Sequence, residues 1–393
     1  MNFILNLKTH LWANAFRPFF LGASLHALFS VLLWVLILFS QIKPPAFTNP
    51  IAFHSYEMVF GFARAAILGF LFTAAQNWTK TILIRERSLI VLFLLWFLGR
   101  MSWIDVDMVS RTAFVADLLC DIVVLYLLVP ALTKKGQEHN RVIAISYALF
   151  LFYHTLVIGS ILNLISPVFV LHWIHISVFL VSIFLVIIAG RILPFFTSVA
   201  VAGAQPRRVQ SIESFSLYGA FLFIGIESIL PWFPILTIAA GILSVCFSFL
   251  QMVRWFLWEP WKSQQTPILW ILFLSYLWMN LGFLAFGLSH FGFFPISSAF
   301  HLLTVGAIGG FIYGMITRVS LGHTGRPIRA SVAVVFGYYC ITFATIVRVV
   351  FPFLDFAQTG YAVSGILWIV AFLIITFKYS NILIGPRADS HRT

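Results

Sequence analysis

The chain has 393 residues, of which 61% are hydrophobic and only 9% charged, with a mean hydropathy of +1.00. A water-soluble domain of this size needs a charged shell that this composition does not supply. The net charge of +12 in so apolar a chain points to membrane topology and anionic lipid, and excludes nucleic acid as the natural partner.

Crossing a bilayer takes about 20 apolar residues, and twelve such runs follow one another along the sequence. The first, 16–40, is too long for a cleavable leader and lacks a small-x-small cleavage site. The second, 55–76, opens within "FHSYEMVFGFAR" (53–64), which carries His54, Glu57 and Arg64. The third, 88–103, is short. The fourth, 112–132, holds Asp117 and Asp121, and the fifth, 142–164, holds His154. The sixth, 168–193, begins "LHWIHISVFL" with His172 and His175 and ends at Arg191. After it, 194–213 is expected to be a short cytoplasmic loop. The seventh to ninth cover 214–230, 233–256 and 267–289. The tenth, 296–317, begins at His301 and is followed by Arg318. The last two are 330–351 and 360–384. Cys120, Cys246 and Cys340 stand singly within spans and are expected to be buried thiols. The expectation is an all-α polytopic membrane protein, one domain over 1–393, with twelve transmembrane helices.

With the N-terminus inside, 19 of the 24 basic residues fall on the cytoplasmic side, from Lys8 to Arg392; Lys43, Arg100, Arg111 and Arg348 fall outside, and Arg64 lies within a span. This asymmetry follows the positive-inside rule and puts both termini in the cytoplasm.

Ionisable groups inside spans are costly and mark function by default. Arg64 lies seven residues past Glu57, about 10 Å deeper along an α-helix. Asp117 and Asp121, an i,i+4 pair, reach a comparable depth, so Arg64 is expected to pair with them, as a structural ion pair or as a proton- or electron-coupling element. His54, then His172 and His175, then His301 cluster at the outer ends of the second, sixth and tenth spans, 118 and 129 residues apart. That spacing suggests three four-helix units around a pseudo-threefold axis. Gly306, Gly310 and Gly314 form a ridge for close helix approach, roughly opposite His301. Gly61, Ala65 and Gly69 form another on the His54 side, so that His54 is expected to face a close neighbour or a flat ligand. Imidazoles converging in a dry bundle suit haem iron or copper. His26 and His154 look like packing or reserve residues, and Tyr56 like an interfacial aromatic.

"FRPFF" (16–20), "FHSYEMVFGFA" with "LGFLFTAAQNWT" (53–79), "GRILPFFT" (190–197) and "HLLTVGAIGG…MITRVSLGHTGRP" (301–327) resemble the NnrS family. The resemblance implies a twelve-span bacterial inner-membrane protein that binds haem and copper and acts in the response to nitric oxide and nitrosative stress. The family's second-span motif reads His-x-His-Glu-Met, and here Tyr56 stands at its second histidine. Phe273 stands where a further family histidine is expected, so the lost histidines weaken the case for copper more than that for haem. The candidate cofactor contacts are His54, Tyr56, Glu57, Gly61, Ala65, His301 and Thr304, with Glu57 as acceptor for the His54 ring. The candidate metal ligands are His54, His301, His172 and His175. The further candidates are Arg64, Asp117 and Asp121, and His323 with Arg326 in a basic cytoplasmic turn.

These expectations combine into a haem protein, b-type, with or without copper, that binds, senses or turns over nitric oxide near the outer leaflet and draws on an electron donor that the sequence does not name. The alternatives are a proton-coupled or anion transporter using Arg64, Asp117 and Asp121, and a haem- or metal-handling protein serving other enzymes.

Overall fold

The computed structural model describes residues 10–43, 49–104 and 107–389. Lys8 and Arg392, counted above on the cytoplasmic side, lie outside these. The described chain is helical, with no strand. Twelve helical segments match the twelve apolar runs: α1 Phe16–Leu38, α2 Pro50–Thr79, α3 Glu86–Gly99, α4 Asp107–Thr133, α5 Arg141–Ile161, α6 Val170–Ala200, α7 Gln210–Ile229, α8 Thr237–Leu257, α9 Pro267–His290, α10 Ile296–His323, α11 Val332–Val350 and α12 Ala357–Ile384.

Among the described residues, 11 helices are long and apolar enough to cross a membrane, rather than twelve. The exception is α3, with 14 residues followed by a 3-10 turn, Arg100–Trp103. At 1.5 Å per residue it reaches about 21 Å, short of a hydrocarbon core of about 30 Å. The expected loop 194–213 is also shorter than its sequence suggested. Helix α6 runs on to Ala200 with Pro194 inside it.

Two of the spans are not continuous α-helix. In α2 an α segment, Pro50–Tyr56, gives way to a π-helical stretch, Glu57–Ala63, before α geometry resumes at Arg64. In α10 the α segment Ile296–His301 is followed by a π stretch, Leu302–Gly309, and then by Gly310–His323. Side chains engage carbonyls of the first π stretch: His26 Nε2 sits 3.2 Å from the Glu57 carbonyl, and Trp96 Nε1 donates to the Gly61 carbonyl at 3.0 Å.

The chain divides into two compact units, not the three suggested by histidine spacing. The first runs up to Ser177 and adds Ile316–Ile328 and the chain from Phe372; the second comprises Val178–Met315 and Arg329–Ala371. The divisions fall inside α6, α10 and α12, so single helices contribute to both units and a repeat counted by whole spans does not describe them.

In the first unit, the small-residue ridge of α2 is covered by α1. A Cβ at Gly61 would collide with the His26 ring, and one at Gly69 would press on Phe19 and Phe20. Small residues here bring two helices close, and the space beside Gly61 and the fully buried Ala65, where a flat ligand is expected from sequence, is filled by protein. Arg17 donates to the carbonyls of Leu383 at 2.8 Å and Gly385 at 2.6 Å. It thereby satisfies acceptors at the end of α12 that have no partner within the helix.

In the second unit, Gly306, Gly310 and Gly314 lie against Trp278, Ser275 and Leu272 of α9, as the ridge predicted. Phe179, Phe223, Phe283, Phe286 and Phe300 form an aromatic cluster. Arg254, counted from sequence among the cytoplasmic charges, is buried. It pairs with Glu213 at 2.6 Å, reaches the Tyr276 hydroxyl at 3.0 Å and lies over the Trp258 ring at 4.8 Å. Of the cysteines, Cys120 and Cys340 are buried as expected but Cys246 is exposed.

Candidate functional site

The most densely charged place in the first unit is buried. Arg64, Asp117, Asp121 and His154 are 0% exposed and Tyr56 also 0%, with Tyr147 at 1%, Glu57 at 2% and Arg100 at 4%. Each comes from a different part of the chain: Tyr56 and Glu57 from the turn before and into the π stretch, Arg64 from just after it, Arg100 from the 3-10 turn after α3, the aspartates from one face of α4, and Tyr147 with His154 from α5.

Arg64 pairs with both aspartates, as expected from depth and spacing. Its Nη2 meets Asp117 Oδ1, while Nη1 reaches Asp121 Oδ2 at 3.1 Å and the Asp117 carbonyl at 3.2 Å. A second arginine completes the group. Arg100 binds Glu57 Oε2 at 2.8 Å through Nη1 and Asp117 Oδ2 through Nη2. The sequence placed Arg100 among outer-side charges; its burial follows from the surplus of carboxylates that Arg64 alone leaves unbalanced.

The remaining contacts revise several expectations. The Tyr56 hydroxyl donates to Asp117 Oδ2 at 2.6 Å and lies 3.0 Å from His154 Nε2, so Tyr56 is an interior hydrogen-bonding residue and not an interfacial aromatic. His154 is not a reserve residue: its Nδ1 lies 2.6 Å from Asp121 Oδ2, and its ring stacks on Phe60 at 3.9 Å. Asp121 Oδ1 accepts from Tyr147 at 2.7 Å. Glu57 is engaged by Arg100 and by His26 Nε2 at 2.9 Å, which displaces it from the role of acceptor for His54. The Glu57 Oε1 atom is buried with no hydrogen-bond partner among the described residues.

His54 and His301, the histidines of the two family-like motifs, occupy matching positions in different units. Each stands in the short α segment just before a π stretch, and each is half-buried. His54 stacks on Trp34, ring centroids 4.5 Å apart and 16° from parallel. His301 Nδ1 lies 2.7 Å from the Ser297 carbonyl. A carbonyl can only accept, so Nδ1 carries the hydrogen; in the neutral ring Nε2 then carries the lone pair, which is the tautomer an iron or copper ion takes. The donor set therefore fits haem ligation at His301. Thr304 Oγ1 donates to the Phe300 carbonyl of its own helix at 2.9 Å.

His172 and His175 lie one turn apart at the start of α6, with His172 edge-on to Trp173 at 4.8 Å. Among the described residues, no three His, Cys, Asp or Glu side chains are gathered to hold a metal ion. His323 ends α10 rather than lying in a loop. Its ring lies 5.7 Å from Phe16, and its carbonyl accepts from Arg387 at 3.1 Å. Arg326 donates to the Thr324 carbonyl at 3.3 Å, and Phe273 is buried in α9.

The sequence missed the π stretches, Arg100 and His154. A charge balance would have found Arg100, since Glu57, Asp117 and Asp121 outnumber Arg64 in a region that lipid surrounds. The π stretches have no comparable signal in the sequence. A family model described as NnrS protein matches residues 10–387. No curated protein matches the chain.

Proposed function

Because the chain belongs to the NnrS family, we propose that it is a haem-binding multi-pass protein of the bacterial cytoplasmic membrane, with both termini inside, that binds, senses or turns over nitric oxide. Family membership implies the role in the nitric oxide response; the haem and its ligands are the further step. The observation that carries this step is the paired placement of His54 and His301 at the entrances of two π-helical stretches. Such stretches are rare and occur frequently at functional sites.

His54 in the first unit and His301 in the second are each proposed as a haem ligand. His301 is held in the ligating tautomer by Ser297, and His54 has its ring plane set by Trp34. When bound, the haem would supply an iron that coordinates nitric oxide. Glu57, Tyr56, Gly61 and Ala65 are not part of this proposal, because other protein groups occupy them. Copper, if present, would depend on His172 and His175 with a ligand from elsewhere. The transporter reading draws less support, since Arg64, Asp117 and Asp121 are engaged by one another and by Arg100, His154 and the two tyrosines.

The test is haem content and the absorption spectrum of the purified protein, with a pyridine haemochrome for haem type. His54→Ala and His301→Ala should each remove or spectrally convert the haem while the protein still inserts in the membrane. His139→Ala and His323→Ala should change neither. Full haem content with an unchanged spectrum in both ligand variants would overturn the assignment.

A further inference from the structure

Four buried groups of the first unit stand in a line joined by three close contacts. Asp121 Oδ2 is 2.6 Å from His154 Nδ1, His154 Nε2 is 3.0 Å from the Tyr56 hydroxyl, and that hydroxyl is 2.6 Å from Asp117 Oδ2. Each contact needs one hydrogen between its two heavy atoms. Two ionised carboxylates bring none, a neutral imidazole brings one, and a phenol brings one. Three contacts therefore require one hydrogen more than the neutral side chains supply.

Charge leads independently to the same number. The buried set holds three carboxylates, Glu57, Asp117 and Asp121, against two guanidiniums, Arg64 and Arg100. An unbalanced charge deep in a membrane protein is expensive, and one added proton makes the set neutral. His26 could supply the charge but not the missing hydrogen, because it binds Glu57 and does not touch the line. The face of Phe60 stacked on His154 also suits a cation.

We propose that Asp121–His154–Tyr56–Asp117 is a proton-binding site, with the bound proton carried by His154 as imidazolium. The groups facing His154 are Asp121 and Asp117 from α4, Tyr56 and Phe60 from α2, and Arg64 through its pairs with both aspartates; Tyr147 faces Asp121 from the same helix as His154. The site can pass its proton in either direction. Towards Asp121, the Nδ1–H bond breaks and an O–H bond forms on Oδ2, leaving neutral imidazole and a carboxylic acid. Towards Asp117, the Tyr56 proton moves to Oδ2 while Nε2–H replaces it on the phenol oxygen. Nothing is oxidised or reduced, and every proton is conserved. Neither His154 nor the aspartates is a proposed haem ligand, so the site stands apart from the reading above.

Nitrogen-15 spectra of the full-length protein labelled at histidine, in lipid at neutral pH, test this directly. The His154 signal, identified by its loss in His154→Gln, should show two ring nitrogens with nearly equal shifts and a proton on each. If His154→Gln does not fold, Tyr56→Phe keeps the shape and removes the contact at Nε2, and should shift that same signal. Two widely split nitrogens at His154, the signature of a neutral ring, would overturn the proposal, as would a histidine spectrum untouched by Tyr56→Phe.

Discussion

Replacing Arg64 by leucine keeps the helix and approximates the side-chain bulk, but removes the cation that two aspartates share. Breaking a buried pair by removing one partner costs about 3–5 kcal/mol in soluble proteins, because the other charge stays buried. At 1.4 kcal/mol per factor of ten, that lowers the ratio of folded to unfolded protein by about a hundredfold or more. The structure also says which second change should repair the damage. Without Arg64, Asp117 keeps Arg100 and Tyr56, whereas Asp121 keeps only His154 and Tyr147. Asp121→Asn should therefore restore more stability to Arg64→Leu than Asp117→Asn, which strips Arg100 of one of its two carboxylates. The assay is the midpoint of thermal unfolding in detergent, followed by size-exclusion of the monomer, for the wild type, the single and the two double variants. A wild-type midpoint in Arg64→Leu, or a better rescue by Asp117→Asn, would refute this division of partners.

Gly99→Ala should be poorly folded, because its Cβ would collide with the Asp117 carboxylate, whereas Gly225→Ala on α7 meets nothing within 4 Å and should match the wild type in yield. In the turn after α8, Glu259 is held below the usual carboxylate range by the Gln205 backbone N–H at 2.6 Å and then by Lys262. A depressed carboxylate stabilises above its unfolded pKa and loses that effect as pH falls through its folded one. Hydrogen exchange at the Gln205 amide, corrected for the intrinsic pH dependence, should accordingly lose protection only in the acid range, and a flat profile there would disprove the contact. Reporter fusions at 137 and 205 should report the cytoplasm and a fusion at 292 the outer side; the opposite pattern would invert every inside–outside assignment made from charge.

Burial of apolar surface has a loud signal, so the class of fold and nearly every helix were legible in the sequence. Helix α3 was legible only as a short run, because residues 88–103 read alike whether they form one span or the greater part of a 14-residue helix and a 3-10 turn. The Arg64–Asp117–Asp121 contact was legible from depth and i,i+4 spacing alone. Its other members were not. Tyr56 and His154 are ordinary residues of apolar helices until their partners are known, and Arg100 looks like any loop arginine until Glu57 and Asp117 are seen converging on it. The Gly61–Ala65–Gly69 ridge was correctly identified as a close approach, but small residues do not say what approaches, and here it is α1.

The π stretch of α2 explains how one short segment serves two places. In a regular α-helix, residues seven apart lie within about 20° of the same face, so Glu57 and Arg64 would stack and the segment would present a single polar edge. The stretch Glu57–Ala63 breaks that regularity with wider turns. Arg64 turns to both aspartates, Tyr56 reaches Asp117 from the preceding α turn, and Glu57 is left to His26 and Arg100. His54, two residues before Tyr56, stacks on Trp34. A change of helix type thus directs Glu57 and Arg64 to different partners within the charge cluster. The same order of segments after His301, in a stretch of sequence with no ionisable residue between Leu302 and Gly309, indicates that the π turn belongs with the histidine and not with the charges.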